Sequence, residues 1–382
     1  MNVVILDTRP VRRGAQIFVQ ALATWLRTRD IQVSVLYLYR NRDTVSLPLH
    51  DSDQVLGFDE NHFLEKWLTL QPLLVWKLAG VLKNLKPDCI LLNGSRNLKY
   101  GAAVKKFLPE DTRLIYRSID SASFWNPGGI KKWYYQNFVM PAMDGVVGVS
   151  QASLRDTVSA YHFKVPSVAI PRAIDVAVAD RAPSRTEARR HLRISEEAFV
   201  VLFLGRMIRQ KRPDRFVEVI EQLHNKYQSG NFFGLMVGDG PLMTEVGALV
   251  DQKGLGGVLK LAGAQTEVWP FIAASDVLVL TSDTEGLPGV VLEAALLHVP
   301  SVASEVGGVR ECIEEGHTGF IVSSADVDQY VARLRFLQKQ KEQRLEMGKQ
   351  ARHKIIQSFS LDAIGPGYLN FFSVLLQSRK TG

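Results

Sequence analysis

DVLVLTSDTEGLPGVVLE, residues 276–293, holds a β-rich run, a turn rich in glycine and proline, and an apolar segment of helical character in immediate succession. Strand, turn and helix in that order make a βα unit. Working outward, the same succession recurs. FVVLFLG at 199–205 precedes an amphipathic helix that starts after Pro213, and FFGLMVG at 232–238, VLKLAG at 258–263, PSVAS at 300–304 and GFIV at 319–322 follow at spacings that fit further units. Toward the amino terminus come VVIL at 3–6, a helix from about Gln16 to Arg27, VSVLYL at 33–38, DCILLN at 88–93, RLIYRS at 113–118, GVVGVS at 145–150 and SVAIP at 167–171. Short β-rich runs separated by helices predict parallel sheets with helices on both faces.

At 382 residues, 46% hydrophobic and 22% charged, the chain exceeds what one core usually holds. Two α/β domains are expected, at 1–180 and 181–360, separated by the polar stretch Asp175 to Arg193 with its Pro183 and Ser184. Two such domains facing one another leave a cleft at the carboxyl ends of their strands, where open sheets take ligands. The segment 361–382 contains Gly365, Pro366 and Gly367, which predict a bend between two helical pieces.

Two cysteines, Cys89 and Cys312, supply neither a disulfide framework nor a thiolate zinc site, a cytosolic signal. MNVVILD enters a strand directly, so neither a leader nor a membrane span is expected, and the chain reads as cytoplasmic. Net charge is +7; residues 1–180 carry 22 Lys/Arg against 16 Asp/Glu, and residues 181–382 carry 24 against 23. The bases are scattered, so no nucleic acid partner is expected, while an anionic substrate or an anionic membrane surface accounts for the excess.

After the strand DVLVL, Glu285 and the turn Gly286-Leu287-Pro288-Gly289 present successive backbone amides at a helix start, an arrangement that binds diphosphate. Glu293 follows about one turn into the helix, and carboxylates accept hydrogen bonds from sugar hydroxyls. The bland alternative is one solvated loop Glu and one helix Glu. Gly307-Gly308 repeats the turn one βα unit later. In GRMIRQKRPDR, Gly205 ends a strand and Arg206 and Lys211 come directly after it, placed to clamp phosphoryl oxygens, whereas Arg209, Arg212 and Arg215 read as solvated residues. In PVRRGAQ, Gly14 admits close approach of a ligand to the backbone. Asp120 closes YRSID and reads as an acceptor contact or a helix cap. A dinucleotide fingerprint, a Walker sequence, GxSxG and HExxH are absent.

Taken together these segments resemble the family-four retaining glycosyltransferases, nucleotide-sugar-dependent enzymes with two facing Rossmann-like domains of GT-B type. The resemblance covers nearly the whole chain and is most specific in E-x7-E, Glu285 to Glu293, followed by GGVREC and EGHTGF. It implies that Arg206 and Lys211 hold the diphosphate. Glu285 and the backbone of Gly286, Leu287 and Pro288 would hold the donor sugar, and Glu293 the ribose. Gly14 would approach the phosphates from the opposite domain, with Gly205 and Gly238 of VGDGP at strand ends of the donor side. The basic clamp can replace a divalent ion, so no metal is expected, nor a cofactor beyond the nucleoside diphosphate sugar; the acceptor would be a glycan, a lipid-linked or a small molecule. The last helix, 361–382, would cross back to the first domain. The sequence departs from the family pattern in RRGAQ, where paired glycines are common, at Arg172 for Asn, at Arg212 for Gly, and in YRSID, where Ser118 and Ile119 stand in place of a His before Asp120. A sugar-phosphate phosphorylase, a nucleotide-sugar epimerase and an inactive nucleotide-sugar-binding subunit are the alternatives.

Residues 123–138, SFWNPGGIKKWYYQNF, and 61–86, NHFLEKWLTLQPLLVWKLAGVLKNLK, set aromatic and apolar residues beside lysines. That chemistry suits sugar stacking or peripheral contact with a membrane's inner face; core-facing helices with solvated lysines are the simpler reading.

Overall fold

The structure, a computed structural model, describes residues 1–11, 14–41, 46–59, 70–119, 122–125, 129–226 and 231–378. The chain divides into two compact units, Met1–Ala173 with Leu361–Gly382, and Ile174–Ser360.

The first unit is built on seven parallel strands, β1 (Asn2–Asp7), β2 (Gln32–Tyr39), β3 (Gln54–Phe58), β4 (Cys89–Asn93), β5 (Arg113–Ser118), β6 (Gly145–Gly148) and β7 (Ser167–Ala169), in the order β3-β2-β1-β4-β5-β6-β7. Its helices are α1 (Gly14–Arg27), α2 (Pro72–Leu85), α3 (Ser95–Val104), α4 (Ala122–Trp125), α5 (Gly129–Tyr134) and α6 (Gln151–Tyr161). Strands β4 and β5 are buried along their whole length, the result expected of apolar runs covered on both faces. Val3, Ile5 and Cys89 face one core with Phe18, Val19 and Leu22 of α1, and Val4, Leu6 and Ile90 face the other with Leu74, Leu78 and Leu82 of α2. Strand β3 has no counterpart in the sequence expectations. Its segment QVLGF is broken by Gly57 at φ +80° and by a register shift against β2 between Tyr37 and Tyr39, so the two-residue period never develops.

The second unit carries six parallel strands, β8 (Phe199–Leu204), β9 (Phe232–Val237), β10 (Leu259–Leu261), β11 (Val277–Leu280), β12 (Ser301–Ser304) and β13 (Gly319–Val322), ordered β10-β9-β8-β11-β12-β13. Around them lie α7 (Arg185–Leu192), α8 (Pro213–Lys226), α9 (Met243–Gln252), α10 (Trp269–Ala273), α11 (Gly289–Leu296), α12 (Val309–Cys312), α13 (Val327–Lys339) and α14 (Lys341–Phe359). In both sheets the strand order reverses direction once, between β1 and β4 and between β8 and β11. Crevices that take ligands in open sheets form at such points.

Two expectations are corrected here. The polar stretch 175–193 is not a bare linker: Ser184 and Glu187 form a capping box that starts α7, and the Arg189 guanidinium, fully buried, donates to the carbonyls of Ala274, Ser195, Glu196 and Ala198 and pairs with Asp276 at 2.8 Å. The units part at Ala173/Ile174 instead of at 180. The expected bend at 365–367 is also absent, since α15 (Leu361–Gln377) is one helix with Pro366 inside it. The chain turns at Ser360, whose backbone is extended, just after Phe359 has accepted a hydrogen bond from the Ile174 amide. Gly365 serves close packing: a Cβ there would lie 2.5 Å from the Trp25 ring. Helix α15 packs on the first unit's core through Ile364, Tyr368, Phe371, Phe372 and Leu375, and Trp25 Nε1 donates to Asp362 at 2.8 Å.

Candidate functional site

In the second unit, four adjacent strands end in turns that hydrogen bond to one another. The turn after β8 is joined to the turn after β9, because Gly205 N donates to Val237 O, Met207 N to Asp239 O and Leu242 N to Met207 O. Gly238, at φ +133°, admits the Gly205 carbonyl where a Cβ would overlap it, so its glycine is required by the neighbouring strand end. Gly205 itself has open space on its Cβ side.

The turn after β8 is likewise tied to the loop after β11. Thr281 Oγ1 donates to the carbonyls of Lys211 and Arg212 at 2.9 and 3.0 Å, Asp283 N to Gln210 O at 2.9 Å, and Gln210 Nε2 to Thr284 O at 3.0 Å. From the first turn of α8, Arg215 reaches under this loop to Thr281 O at 2.6 Å and Asp283 Oδ1 at 2.9 Å. Arg215 is 5% exposed, which corrects its reading as a solvated residue. Arg212 is engaged too, with Asp214 at 2.8 Å and Asp283 at 3.4 Å, while its backbone sits at φ +50°. Glycine carries no Cβ penalty in a left-handed turn; here an arginine occupies it with its guanidinium between two carboxylates.

On this frame the Lys211 ammonium lies 2.6 Å from Glu285 Oε1. Ser282 donates to the same oxygen at 2.6 Å. Glu285 is 7% exposed and Lys211 half-buried, so the pair stands at the edge of the protein with its charges partly desolvated. Beyond Glu285 the loop is seated on the turn after β12: Gly308 N donates to Gly286 O at 3.1 Å, and Gly307, at φ +51°, leaves room for the Glu285 carbonyl, which a Cβ would overlap. Pro288 precedes the first helical residue of α11, and Gly286, Leu287 and Pro288 are buried. Glu293 is half-buried on the second turn of α11. Arg206 is exposed.

The structure therefore brings Lys211 and Glu285 into contact and sets Gly205, Gly238 and the 286–288 loop on neighbouring strand ends. Sequence reasoning missed Ser282, Thr281, Asp283 and Arg215. Ser282 stands three residues before Glu285 in a loop with no periodic pattern, whereas Arg215 is signalled by its place among the buried positions of an amphipathic helix, beside Phe216 and Val219.

In the first unit, Gly14 is the first residue of α1, and a Cβ there would lie 2.7 Å from Arg172 Nη1. The guanidinium of Arg172 is thus what lies against this glycine. Asp7, at the carboxyl end of β1, is fully buried and accepts from Gln16 Nε2 at 2.9 Å, Asn93 Nδ2 at 2.8 Å and Thr8 N at 2.6 Å. Burial pushes its carboxyl above the ordinary value, against the opposing pull of those donors. Asn93 Oδ1 accepts from Arg117 Nη1 at 2.8 Å, and Arg117 Nε donates to the Tyr368 hydroxyl at 3.0 Å. This buried chain of polar groups was not anticipated; its signal is a polar residue closing each of two apolar strands, VVILD and CILLN. Ser118 Oγ is 2.7 Å from Thr157 Oγ1. Asp120 lies outside the described residues. Among the described residues, no group of three or more His, Cys, Asp or Glu is placed to hold a metal ion, and no helix is long and apolar enough to cross a membrane.

Comparison with known proteins accords with this geometry. The family model "Glycosyltransferase Family 4" matches residues 12–178, and "Glycosyl transferases group 1" matches residues 184–354. The chain is similar to N-acetyl-alpha-D-glucosaminyl L-malate synthase of Bacillus anthracis, 26% identical over 197 residues, 52% of this chain and 51% of that protein. It is also similar to the UDP-Gal:alpha-D-GlcNAc-diphosphoundecaprenol alpha-1,3-galactosyltransferase of Escherichia coli, 27% identical over 194 residues, 50% of each. The chain spans about half the length of the curated relatives it matches. Among solved structures, Anabaena Alr3699/HepE in complex with UDP and glucose superposes with TM-score 0.82 at 20% identity, covering 98% of this chain and 100% of that one, a likeness of fold: two Rossmann-like units of GT-B type. With one model over the first unit and the other over the second, the chain belongs to the family-four glycosyltransferases.

Proposed function

We propose that the chain is a retaining hexosyltransferase that moves a sugar from a nucleoside diphosphate sugar, UDP- or GDP-linked, to a hydroxyl on a glycan, a lipid-linked or a small-molecule acceptor. The observation that carries this reading is the contact of Lys211 with Glu285, 2.6 Å apart on a loop that leads into a helix start. Lys211 has three N–H donors and spends one on Glu285, leaving the others for phosphate oxygens. Arg206, exposed one residue beyond Gly205, supplies the second positive charge for the departing diphosphate. Glu285, oriented by Lys211 and Ser282, accepts from sugar hydroxyls, the backbone N–H groups of Gly286 and Leu287 donate to sugar oxygens with Pro288 shaping the turn, and Glu293 accepts from the ribose. The acceptor hydroxyl then attacks the anomeric carbon on the face the diphosphate leaves, its proton passing to the leaving group. This basic clamp does the charge neutralisation for which other enzymes use a divalent ion. A UDP-bound relative in fold and a UDP-Gal-dependent relative in sequence support a nucleotide-sugar donor.

The test is incubation with UDP- and GDP-sugars separately, with extracted lipids and glycans as acceptors, followed by mass spectrometry and NMR of the anomeric proton. An α-donor giving an α-linked product is the expected result. Sugar 1-phosphate or an epimerised donor would favour a phosphorylase or an epimerase, and donor binding without any turnover a non-catalytic subunit.

A further inference from the structure

Helix α2 is apolar on two sides. Leu74, Leu78 and Leu82 fill the first unit's core at a four-residue spacing, yet on the opposite side Leu73 is 72% and Trp76 78% exposed. Beside them runs an open groove of about 930 Å³ lined by Trp76, Lys77, Gly80, Lys83, Ala103 and Phe107. Gly80 has nothing within 4 Å of where a Cβ would project, and Phe107 is 50% exposed. A large tryptophan left in water on a helix that already has a buried face indicates that something covers it.

The charges around the groove identify the covering. Lys77 and Lys83 line it, and residues 70–111 carry seven cations, Lys77, Lys83, Lys86, Arg96, Lys99, Lys105 and Lys106, against three acids, Asp88, Glu110 and Asp111. Lys83, Lys86 and Lys106 are exposed, and Lys83 Nζ stands 5.9 Å from the Phe107 ring centroid, so cation and apolar wall share one rim. Lys105 is paired with Asp144 at 2.7 Å, and Lys77 donates to the Leu56 carbonyl at 2.8 Å. Exposed tryptophan and leucine flanked by lysines, with no acid on the helix, match the headgroup region of an anionic bilayer: the indole settles at the interface and the ammonium groups meet phosphates.

We propose that this face, formed by α2 and the Ala103–Phe107 segment, docks the protein on an anionic lipid surface. Docking does not depend on the donor-site reading, since it draws on none of the residues assigned to sugar transfer.

The experiment is cosedimentation of the full chain with phosphatidylcholine vesicles, with and without phosphatidylglycerol, at low and high salt. The chain binds only the anionic vesicles and releases as salt is raised. Leu73→Ser with Trp76→Ser, and separately Lys83→Glu with Lys106→Glu, each lower the partition about tenfold, whereas Lys339→Glu with Lys341→Glu in the second unit leaves it unchanged. Circular dichroism melts check that each variant folds. In a spectroscopic arm, brominated lipid quenches tryptophan fluorescence of the parent chain, and Trp76→Phe removes most of that quenching. Absence of binding to anionic vesicles at low salt, or equal loss in the second-unit variant, overturns the proposal. So does sedimentation equilibrium showing a dimer that the Trp76 variant dissociates, because a second copy of the chain would then be the occupant. Donor turnover, measured without lipid, stays at the parent level in all these variants, so failure here is separable from failure of the proposed activity.

Discussion

The ammonium of Lys211 and the carboxylate of Glu285 are 74 residues apart in sequence and 2.6 Å apart in the fold. Each therefore sets the other's position before any donor arrives. Glu285→Gln keeps the shape and removes the charge, and is expected to lower kcat by more than about tenfold, over ~1.4 kcal/mol, with a smaller effect on nucleotide affinity. Lys211→Ala is expected to weaken both. Steady-state kinetics with separate nucleotide titrations decides this, and kcat/KM within about twofold of the parent for both variants would remove these residues from the site.

Gly307→Ala puts a Cβ into the Glu285 carbonyl at a positive φ. The expected cost is about 3 kcal/mol of stability, since neither backbone can yield without moving the loop. Gly257→Ala has nothing within 4 Å of the new methyl and is expected to stay within about 0.5 kcal/mol of the parent. Urea unfolding of the two variants side by side checks the contrast.

At Arg212 two effects oppose one another. Arg212→Gly relieves a left-handed residue but loses the contacts with Asp214 and Asp283, while Arg212→Ala loses the contacts and keeps the strain. The alanine variant is expected to be less stable than the glycine variant by about 1 kcal/mol. Equal urea midpoints for the two would show that the turn carries no strain.

Asp7 gives a pH signature. Its carboxyl titrates above the ordinary value in the folded protein, so the folded state holds this proton more tightly than the unfolded chain. Stability from that proton is complete below the unfolded value and is lost as pH rises through the folded one. Asp7→Asn cannot titrate. Its stability relative to the parent is expected to increase from about pH 4 to pH 7 in urea titrations, and a difference that shrinks with pH would reverse the assignment.

The alternation of strand and helix was legible because apolar runs such as FVVLFL are buried on both faces, and no other arrangement of so many short runs covers them. What failed to show has local causes. QVLGF lacks a clean period, the stretch ahead of β8 is polar although it holds a capped helix, and Gly365 reads as a breaker when it is a packing contact for Trp25. At the site, Glu285 and Lys211 were visible because each lies in the turn segment between a strand and the next helix, after Leu280 and after Leu204. Arg215, which holds the loop at Thr281 and Asp283, acts across the fold, and Ser282, three residues before Glu285, stands in a loop with no periodic pattern to mark it.

The first unit's core closes with residues from the far end of the chain, Ile364 to Leu375 of α15. During synthesis the second unit is contiguous and complete once Ser360 has left the ribosome, whereas the sheet begun at Asn2 waits for that helix with Phe18 and Trp25 uncovered. The order of maturation thus inverts the order of translation. The half that is made first is the half that finishes last, and through that interval the faces of Phe18 and Trp25 that α15 later covers stay open.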